Sequence, residues 1–311
     1  MKRTKVTVAM LLFLATLGAC KKDRVEEPEL PEPNMENIEL GLGDAGIGVI
    51  EQDFHFNADV VAGDKIGKVE IKISQKDDET YSKPWTHEIV WDQYKGLKNT
   101  NIHKHFNIPA DAAEGKYDFQ VVVYDENGSK LEVRRDFEIY AAVNLPVRPV
   151  ITQLNLRKNG KPIYDWHGMA ENPTEKYLKG DTLTSQVSLS YVKGDGIVYL
   201  LLVKKSSNYL PTTVEEIDLN KAIVYDVFEH KNMNSVDNFS NFVFDMETFT
   251  TVRRIPVFTI GAEHDNNVPV PNPISGAKGW QAEEYNLVVI YKNTTYNKTV
   301  YKSIPFGIDY N

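Results

Sequence analysis

The sequence predicts an all-β chain: two immunoglobulin-like β-sandwich domains in tandem, behind a lipoprotein signal peptide and a flexible tether. Three observations carry that prediction. Apolar and polar residues alternate with period two through most of the chain after residue 37, turn signals recur between the alternating runs, and the first 20 residues read as an export signal that ends in a cysteine. The chain has 311 residues, with 35 Lys and Arg against 44 Asp and Glu, a formal net charge of −9. That acidic balance leaves no general basic surface for counterion release, so nucleic acid is not expected as a partner. A single cysteine excludes an internal disulfide framework and a cysteine-based zinc cluster.

Residues 1–19 are expected to be a signal peptide. Lys2, Arg3 and Lys5 form its basic end, Val6 to Leu17 its apolar run, and Leu17-Gly18-Ala19-Cys20 a lipobox. The apolar run is too short to span a bilayer as a mature helix. Cleavage before Cys20 would leave its thiol to carry diacylglycerol, and acyl chains such as palmitate contribute ~0.8 kcal/mol per buried methylene. The expectation is therefore a lipid-anchored protein of the outer membrane, facing the surface or the periplasm, with the membrane as its first partner. Residues 20–36, with Glu26, Glu27, Pro28, Glu29, Pro31, Glu32 and Pro33, cannot bury an apolar face and read as a tether. Lys21-Lys22-Asp23 resembles the lysine-plus-acidic export tags of Bacteroidota surface lipoproteins.

The first sandwich is expected over 37–142. Phe54, Phe56, Ala58 and Val60 alternate with Asp53, His55, Asn57 and Asp59, and Val69, Ile71 and Ile73 with Lys68, Glu70 and Lys72. Ile102, Phe106 and Ile108 mark another strand, and Tyr117 to Val121 begins the next. Asp125-Glu126-Asn127-Gly128 is a tight-turn signal, and Leu131, Val133, Phe137 and Ile139 follow it. With short strands near 38–42 and 86–91 this makes about seven strands, the count of an immunoglobulin-like sandwich.

Residues 144–149 read as a linker, and 148–311 as a second, enlarged sandwich. An internal repeat is expected. The pattern strand, Gly63-Asp64, strand recurs around Gly194-Asp195-Gly196, and Gly115 to Tyr124 has a counterpart in Glu283 to Tyr291. Thr213-Val214-Glu215-Glu216-Ile217 is expected to form a short capped helix, and Asn266 to Lys278, with Pro269, Pro271 and Pro273, a loop.

No catalytic residues emerge: no nucleophile elbow, zinc-protease helix or phosphate loop is present, and the expectation is a protein that is not an enzyme. Gly41-Leu42-Gly43-Asp44-Ala45-Gly46 matches a dinucleotide fingerprint, but a strand follows it, so it reads as a glycine-rich turn. The candidate ligands for a metal are His55, His103 and His105, with Asp53, Asp118 or Glu51 supplying an oxygen. His103 and His105 alternate on one strand face, away from the core, and imidazoles on one face suit zinc, copper or nickel. Against this stands the reading that these three and His87 are solvated and never meet; His167, His230 and His264 read as structural or surface residues. Tyr81, Trp85, Trp91 and Tyr94 allow either an aromatic platform that stacks on sugar rings or caps on the sandwich core.

The run Asn101-Ile102-His103-Lys104-His105-Phe106-Asn107-Ile108-Pro109-Ala110, within Lys98 to Tyr117, resembles domain of unknown function 4625, a family of Bacteroidota lipoproteins. Val123-Tyr124-Asp125-Glu126-Asn127-Gly128 and the early strand Asp53-Phe54-His55-Phe56 extend the likeness, which covers roughly 36–141. The resemblance implies an immunoglobulin-like fold, a cell-envelope lipoprotein, and further histidines in relatives at the positions of Ser74 and Asp118. The function expected is a lipid-anchored binding or accessory protein of the envelope that takes a transition metal on surface histidines, with an outer-membrane transport or surface complex as a partner. A glycan-binding lipoprotein of a polysaccharide-uptake system and a fimbrial or adhesin-type subunit are the alternatives.

Overall fold

A computed structural model of the chain describes residues 31–245, 248, 250, 251 and 255–310. The expected signal peptide, the lipidation site Cys20 and most of the tether lie outside the described residues. No described helix is long and apolar enough to cross a membrane.

The first domain runs β1 (Asn34–Leu40), β2 (Ile47–Val49), β3 (Asp53–Val61), β4 (Ile66–Gln75), β5 (Thr86–Trp91), β6 (Asn99–Asn107), β7 (Gly115–Asp125) and β8 (Lys130–Tyr140). A three-stranded sheet, β1-β3-β6, packs over a five-stranded sheet, β2-β8-β7-β4-β5. The first strand starts earlier than the sequence suggests. Pairing of Asn34 with Val61 and burial of Met35 draw the end of the expected tether into β1. The Pro31 carbonyl already accepts the Asn127 side-chain amide at 2.9 Å and the Ser129 hydroxyl at 3.1 Å. The expected hairpin turn follows β7, with Gly128 at φ +95°.

Inward-facing residues of both sheets meet in one core. Phe54, Phe56, Phe119 and Phe137 stack with centroid separations of 5.0 to 5.9 Å, and each is at most 2 % exposed. Burying each such ring contributes roughly 1.5–3 kcal/mol. The aromatic-platform reading fails here. Trp85 packs edge-on against Tyr117 at 5.4 Å, Trp91 lies 5.8 Å from Phe56, and both are 8 % exposed. Tyr81 is half-buried on Tyr117 and its hydroxyl donates to the Lys116 carbonyl. These rings seal an end of the sandwich, where apolar surface would otherwise meet water, and present no open face to a sugar.

The second domain runs β9 (Val150–Leu154), β10 (Leu156–Lys158), β11 (Lys161–Tyr164), β12 (Lys176–Leu178), β13 (Thr182–Thr184), β14 (Val187–Lys204), β15 (Ala222–Ser240), β16 (Phe244–Asp245), β17 (Thr250–Thr251), β18 (Phe258–Thr259), β19 (Glu283–Asn293) and β20 (Lys298–Asp309). Its larger, six-stranded sheet has the order β12-β20-β19-β14-β15, with β9 also paired to β14, and its smaller one the order β11-β10-β13-β18. The repeat holds as topology. In each large sheet the first strand is parallel to its neighbour, β2 on β8 and β12 on β20, while the other neighbours are antiparallel. The β7–β8 hairpin therefore corresponds to β19–β20.

One detail of the expected repeat is corrected. Gly194-Asp195-Gly196 is not a turn between strands; it lies within β14, an 18-residue strand whose pairing with β15 shifts register there. Gly194, at φ +72°, accommodates this irregularity, and Gly196 sits where His230 and Tyr291 pack. The element that corresponds to the β3–β4 connection is the short passage between β13 and β14.

The second domain is buried on both faces of its large sheet. Leu200 and Leu202 point into the main core with Tyr285 and Leu287, whereas Leu201, Val203, Val288 and Ile290 form a second cluster on the other side. The insertion expected as a short capped helix covers that side: Val214–Glu216 is a 3-10 turn with Thr213 and Glu216 in a capping box, and Tyr209, Val214 and Ile217 pack on the cluster. This explains why β14 and β19 carry continuous apolar runs rather than alternation. The proline-rich loop after β18 is pinned by Asp265, whose carboxylate accepts from Lys278 Nζ at 2.9 Å and from the Asn272 N–H at 2.7 Å.

Two outcomes follow for stability. Burial alone would raise the Asp265 carboxyl, but Lys278 and the backbone N–H groups of Asn272 and Asn267 hold it below its ordinary value. Its contribution is present above the unfolded carboxylate pKa of about 3.9 and is lost as pH falls through the lower folded value. Lys278→Ala, which leaves that carboxylate buried and unpaired, is expected to cost about 3–5 kcal/mol in denaturant unfolding at neutral pH. In Gly196→Ala a Cβ would stand 2.5 Å from both His230 Nε2 and Tyr291 Oη, so a loss of about 1–3 kcal/mol is expected in the same measurement.

Candidate metal centre

The outer face of the β1-β3-β6 sheet is polar because its strands alternate strictly. On β3, Phe54, Phe56, Ala58 and Val60 point inward, which sends Asp53, His55, Asn57 and Asp59 outward. On β6, buried Ile102 fixes the inward side, and Asn101, His103 and His105 take the other. The antiparallel register sets His55 opposite His105 and Asn57 opposite His103. Two imidazoles on β6 therefore meet one on β3.

They converge. His55 Nδ1 lies 3.4 Å from His105 Nε2, and His103 Nε2 lies 3.2 Å from the same atom. One ring nitrogen from each histidine lies within 4.8 Å of the other two. Tetrahedral coordination with zinc–nitrogen bonds of about 2.0–2.1 Å separates ligand nitrogens by about 3.3 Å, so two of these separations already match. The outer nitrogen of His105 is held as well: Nδ1 donates to Asp53 Oδ2 at 2.6 Å, the carboxylate–histidine pairing that orients metal ligands. With the proton on Nδ1, His105 Nε2 presents its lone pair to the centre.

The three imidazoles differ in exposure. His103 and His105 are exposed, whereas His55 is only 6 % exposed. His55 and His105 border a cleft of about 230 Å³ whose opposite wall comes from the second domain, with Ser190, Tyr191 and Asp237. Tyr191 sits at φ +58°, a conformation that a bulky side chain rarely adopts. Desolvation, and then the neighbouring imidazoles of His55 and His105, push the His103 pKa down. A neutral imidazole is the form that binds a metal.

Of the remaining candidates, Asp118 does not join the centre. It lies on β7 in the opposite sheet, where it pairs with Arg134 at 3.3 Å and Lys76 at 3.7 Å. Ser74 is its cross-strand partner there, so both positions of the expected additional histidines are also away from the centre. His87 stacks on Trp85, and His230 is buried between the Gly194 carbonyl and the Tyr291 hydroxyl. Exposed Glu51 sits at φ +64° in the turn between β2 and β3.

Two residues beside the centre were not identified from sequence. Glu39 Oε2 on β1 lies 3.5 Å from His55 Nε2, and His167 Nδ1 of the second domain lies 3.9 Å from the same oxygen. The alternation of β1 carries a signal for Glu39, since it puts this residue outward, but nothing local says that β1 pairs with β3. His167 occupies an irregular turn between β11 and β12, which has no periodicity to read.

No curated protein matches the chain. Among solved structures, dimeric latent PorU from Porphyromonas gingivalis is similar at 10 % identity and a TM-score of 0.32, over 93 % of this chain and 21 % of that one. The chain thus spans about a fifth of that protein. The C-terminal domain of the Streptococcus pyogenes antigen I/II-family protein AspA gives 8 % identity and a TM-score of 0.24, over 90 % of this chain and all of that domain. Carbohydrate-binding modules of the β-sandwich superfamily give 10 % and 0.23, over 68 % and 84 %. At these values the likenesses carry no argument about function. Residues 18–140 match the family model described as Domain of unknown function (DUF4625), and the three histidines lie inside the matched segment.

Proposed function

We propose that this chain is a lipid-anchored, non-enzymatic protein of the cell envelope that binds a divalent transition ion through His55, His103 and His105. The observation that supports this reading is the convergence of three ring nitrogens at separations of 3.2 and 3.4 Å, with the far side of His105 fixed by Asp53. A set of imidazoles favours zinc, copper or nickel over magnesium or calcium, which prefer oxygen. Three protein ligands leave a coordination position for water or a further ligand. The export signal and Cys20 support an anchor in the outer membrane, with the folded domains outside the bilayer on the surface or the periplasmic side.

The alternatives have less support. A glycan platform would need exposed rings, and Trp85 and Trp91 are in the core. A fimbrial subunit needs a removable terminal strand, whereas β20 pairs with β19 along its length and with β12 on its other edge.

Calorimetric titration of the mature protein with zinc at pH 7.5 is expected to give one ion per chain, and His103→Ala or His105→Ala to weaken binding by tenfold or more. Sub-stoichiometric metal that neither substitution changes would overturn the reading. Because protons compete for imidazole nitrogens, affinity is expected to hold above pH ~6.5 and to fall below it, with His103 remaining neutral to lower pH than an ordinary imidazole. For the anchor, the native chain is expected to incorporate labelled palmitate and to sediment with membranes; Cys20→Ala should abolish both.

A further inference from the structure

A β-bulge shapes one wall of the cleft between the two domains. β14 and β15 pair with Leu189 opposite Phe239 and Val192 opposite Asp237, so Ser190 and Tyr191 together stand opposite Asn238 alone. Bulges of this kind re-aim side chains and are frequent beside functional sites. Here Ser190, Tyr191, Asp237 and Asn238 line the cleft of about 230 Å³ from the second domain, and Gln52 and Asp53 line it from the first. Tyr191 carries the strain of the bulge at φ +58°, a conformation that is costly for an aromatic residue and that clusters at ligand sites. The bulge is fixed to the first domain through the linker: the Arg148 N–H donates to the Tyr191 carbonyl at 3.1 Å, and the Arg148 guanidinium donates to the Ala45 carbonyl at 3.2 Å.

The polar groups on these walls are unspent. Among the described residues, the hydroxyls of Ser190 and Tyr191 and the side-chain amides of Gln52 and Asn238 have no hydrogen-bond partner in the protein, although Ser190 is only 4 % exposed and Tyr191 is half-buried. The Asp237 carboxylate accepts only the Asn238 N–H, at 2.7 Å, and Asp53 has one oxygen left after its bond to His105.

This set of groups selects a chemistry. Two carboxylates line the cleft and no Lys or Arg does, so an anion is repelled. Carboxylates only accept, whereas hydroxyls and amides also donate. A bare ammonium would serve the carboxylates and leave the donors of Ser190, Tyr191, Gln52 and Asn238 without an acceptor. A hydroxyl group on a ligand both donates and accepts, and several of them on one ring answer the whole set. The volume is below the about 300–1,000 Å³ of pockets for drug-sized ligands, which limits the ligand to roughly one ring.

We propose that the cleft binds a neutral, polyhydroxylated molecule of the size of one sugar residue, held by Ser190, Tyr191, Asp237 and Asn238 on one wall and by Gln52 and Asp53 on the other. The site is separate from the segment of Trp85 and Trp91, whose rings belong to the core. His55 and His105 border the same cleft, but no contact in the proposal needs an ion.

The test titrates the mature protein by calorimetry, in the presence of a chelator, with glucose, galactose, mannose and N-acetylglucosamine, and with glucuronate and glucosamine as charged controls. At least one neutral sugar is expected to bind with a Kd of about 1 mM, as suits so small a ligand, and glucuronate about tenfold more weakly or not at all. Ser190→Ala, Tyr191→Phe and Asn238→Ala each remove a group with no partner in the protein, so the fold should persist, and each should weaken the sugar about three- to tenfold. If none of the four neutral sugars binds, the proposal is overturned. Binding that all three substitutions leave unchanged lies elsewhere and overturns it as well. Glucosamine bound where no neutral sugar binds would show a cleft that answers to charge alone, with the same consequence. The chelator keeps this outcome apart from the ion-binding reading, so either can fail while the other stands.

Discussion

The register between β3 and β6 is the constraint on which both the first core and the histidine centre depend. It runs without a break from Asp53 opposite Asn107 to Val61 opposite Asn99. Side chains alternate with period two, so a slip of one residue on either strand would turn its apolar set out and its polar set in. Phe54, Phe56, Ala58 and Ile102 are each at most 2 % exposed in the observed register. Their burial, worth several kcal/mol in sum, outweighs anything the histidines contribute to folding. The imidazoles are thus brought together by residues on the opposite face of the sheet.

The two domains solve the same topological problem with different coverings. Both give a large sheet a parallel edge strand, five strands in the first domain and six in the second, and both lay a smaller sheet over one face. In the first domain the outer face of β4, β7 and β8 is left to polar and charged groups such as Lys72, Glu70, Gln120 and Glu132, and alternation survives. In the second, the segment holding Tyr209, Val214 and Ile217 covers the outer face, and Leu201, Val203, Val288 and Ile290 become core. The enlargement is therefore a second hydrophobic layer, and it requires the 3-10 turn at Val214–Glu216 to hold its cover in place.

What is legible in the sequence follows from how local each signal is. Alternation in Asp53–Val61 and Gly115–Asp125 is a property of neighbouring residues, and the strands stand where it puts them. The common face of His103 and His105 is legible for the same reason, whereas their meeting with His55 depends on a register fixed by distant apolar residues. Trp85 and Trp91 illustrate an ambiguity of chemistry: an indole suits a core or a sugar face equally, and only the packing on Tyr117 and Phe56 decides. Gly194-Asp195-Gly196 has the composition of a turn, but the extended pairing of β14 on both sides draws it into a strand. Glu39 and His167 come beside the histidines by juxtaposition alone, across a sheet edge and across a domain boundary, and no local pattern encodes either.

On the proposed ion-binding reading, the centre offers an acidic chain a way to select an ion rather than merely attract one. A net charge of −9 draws any cation, and exposed carboxylates alone would favour the abundant hard ones. Here the carboxylates of Asp53 and Glu39 lie behind imidazoles, at 2.6 Å from His105 Nδ1 and 3.5 Å from His55 Nε2. The inner face offered to an ion consists of nitrogen, and the negative charge stands behind it. Calcium and magnesium, which require oxygen at the first contact, gain little from such a face, whereas zinc, copper and nickel gain both the ligand and the charge behind it. On that reading, selectivity would follow from the nitrogen face that the β3–β6 register assembles.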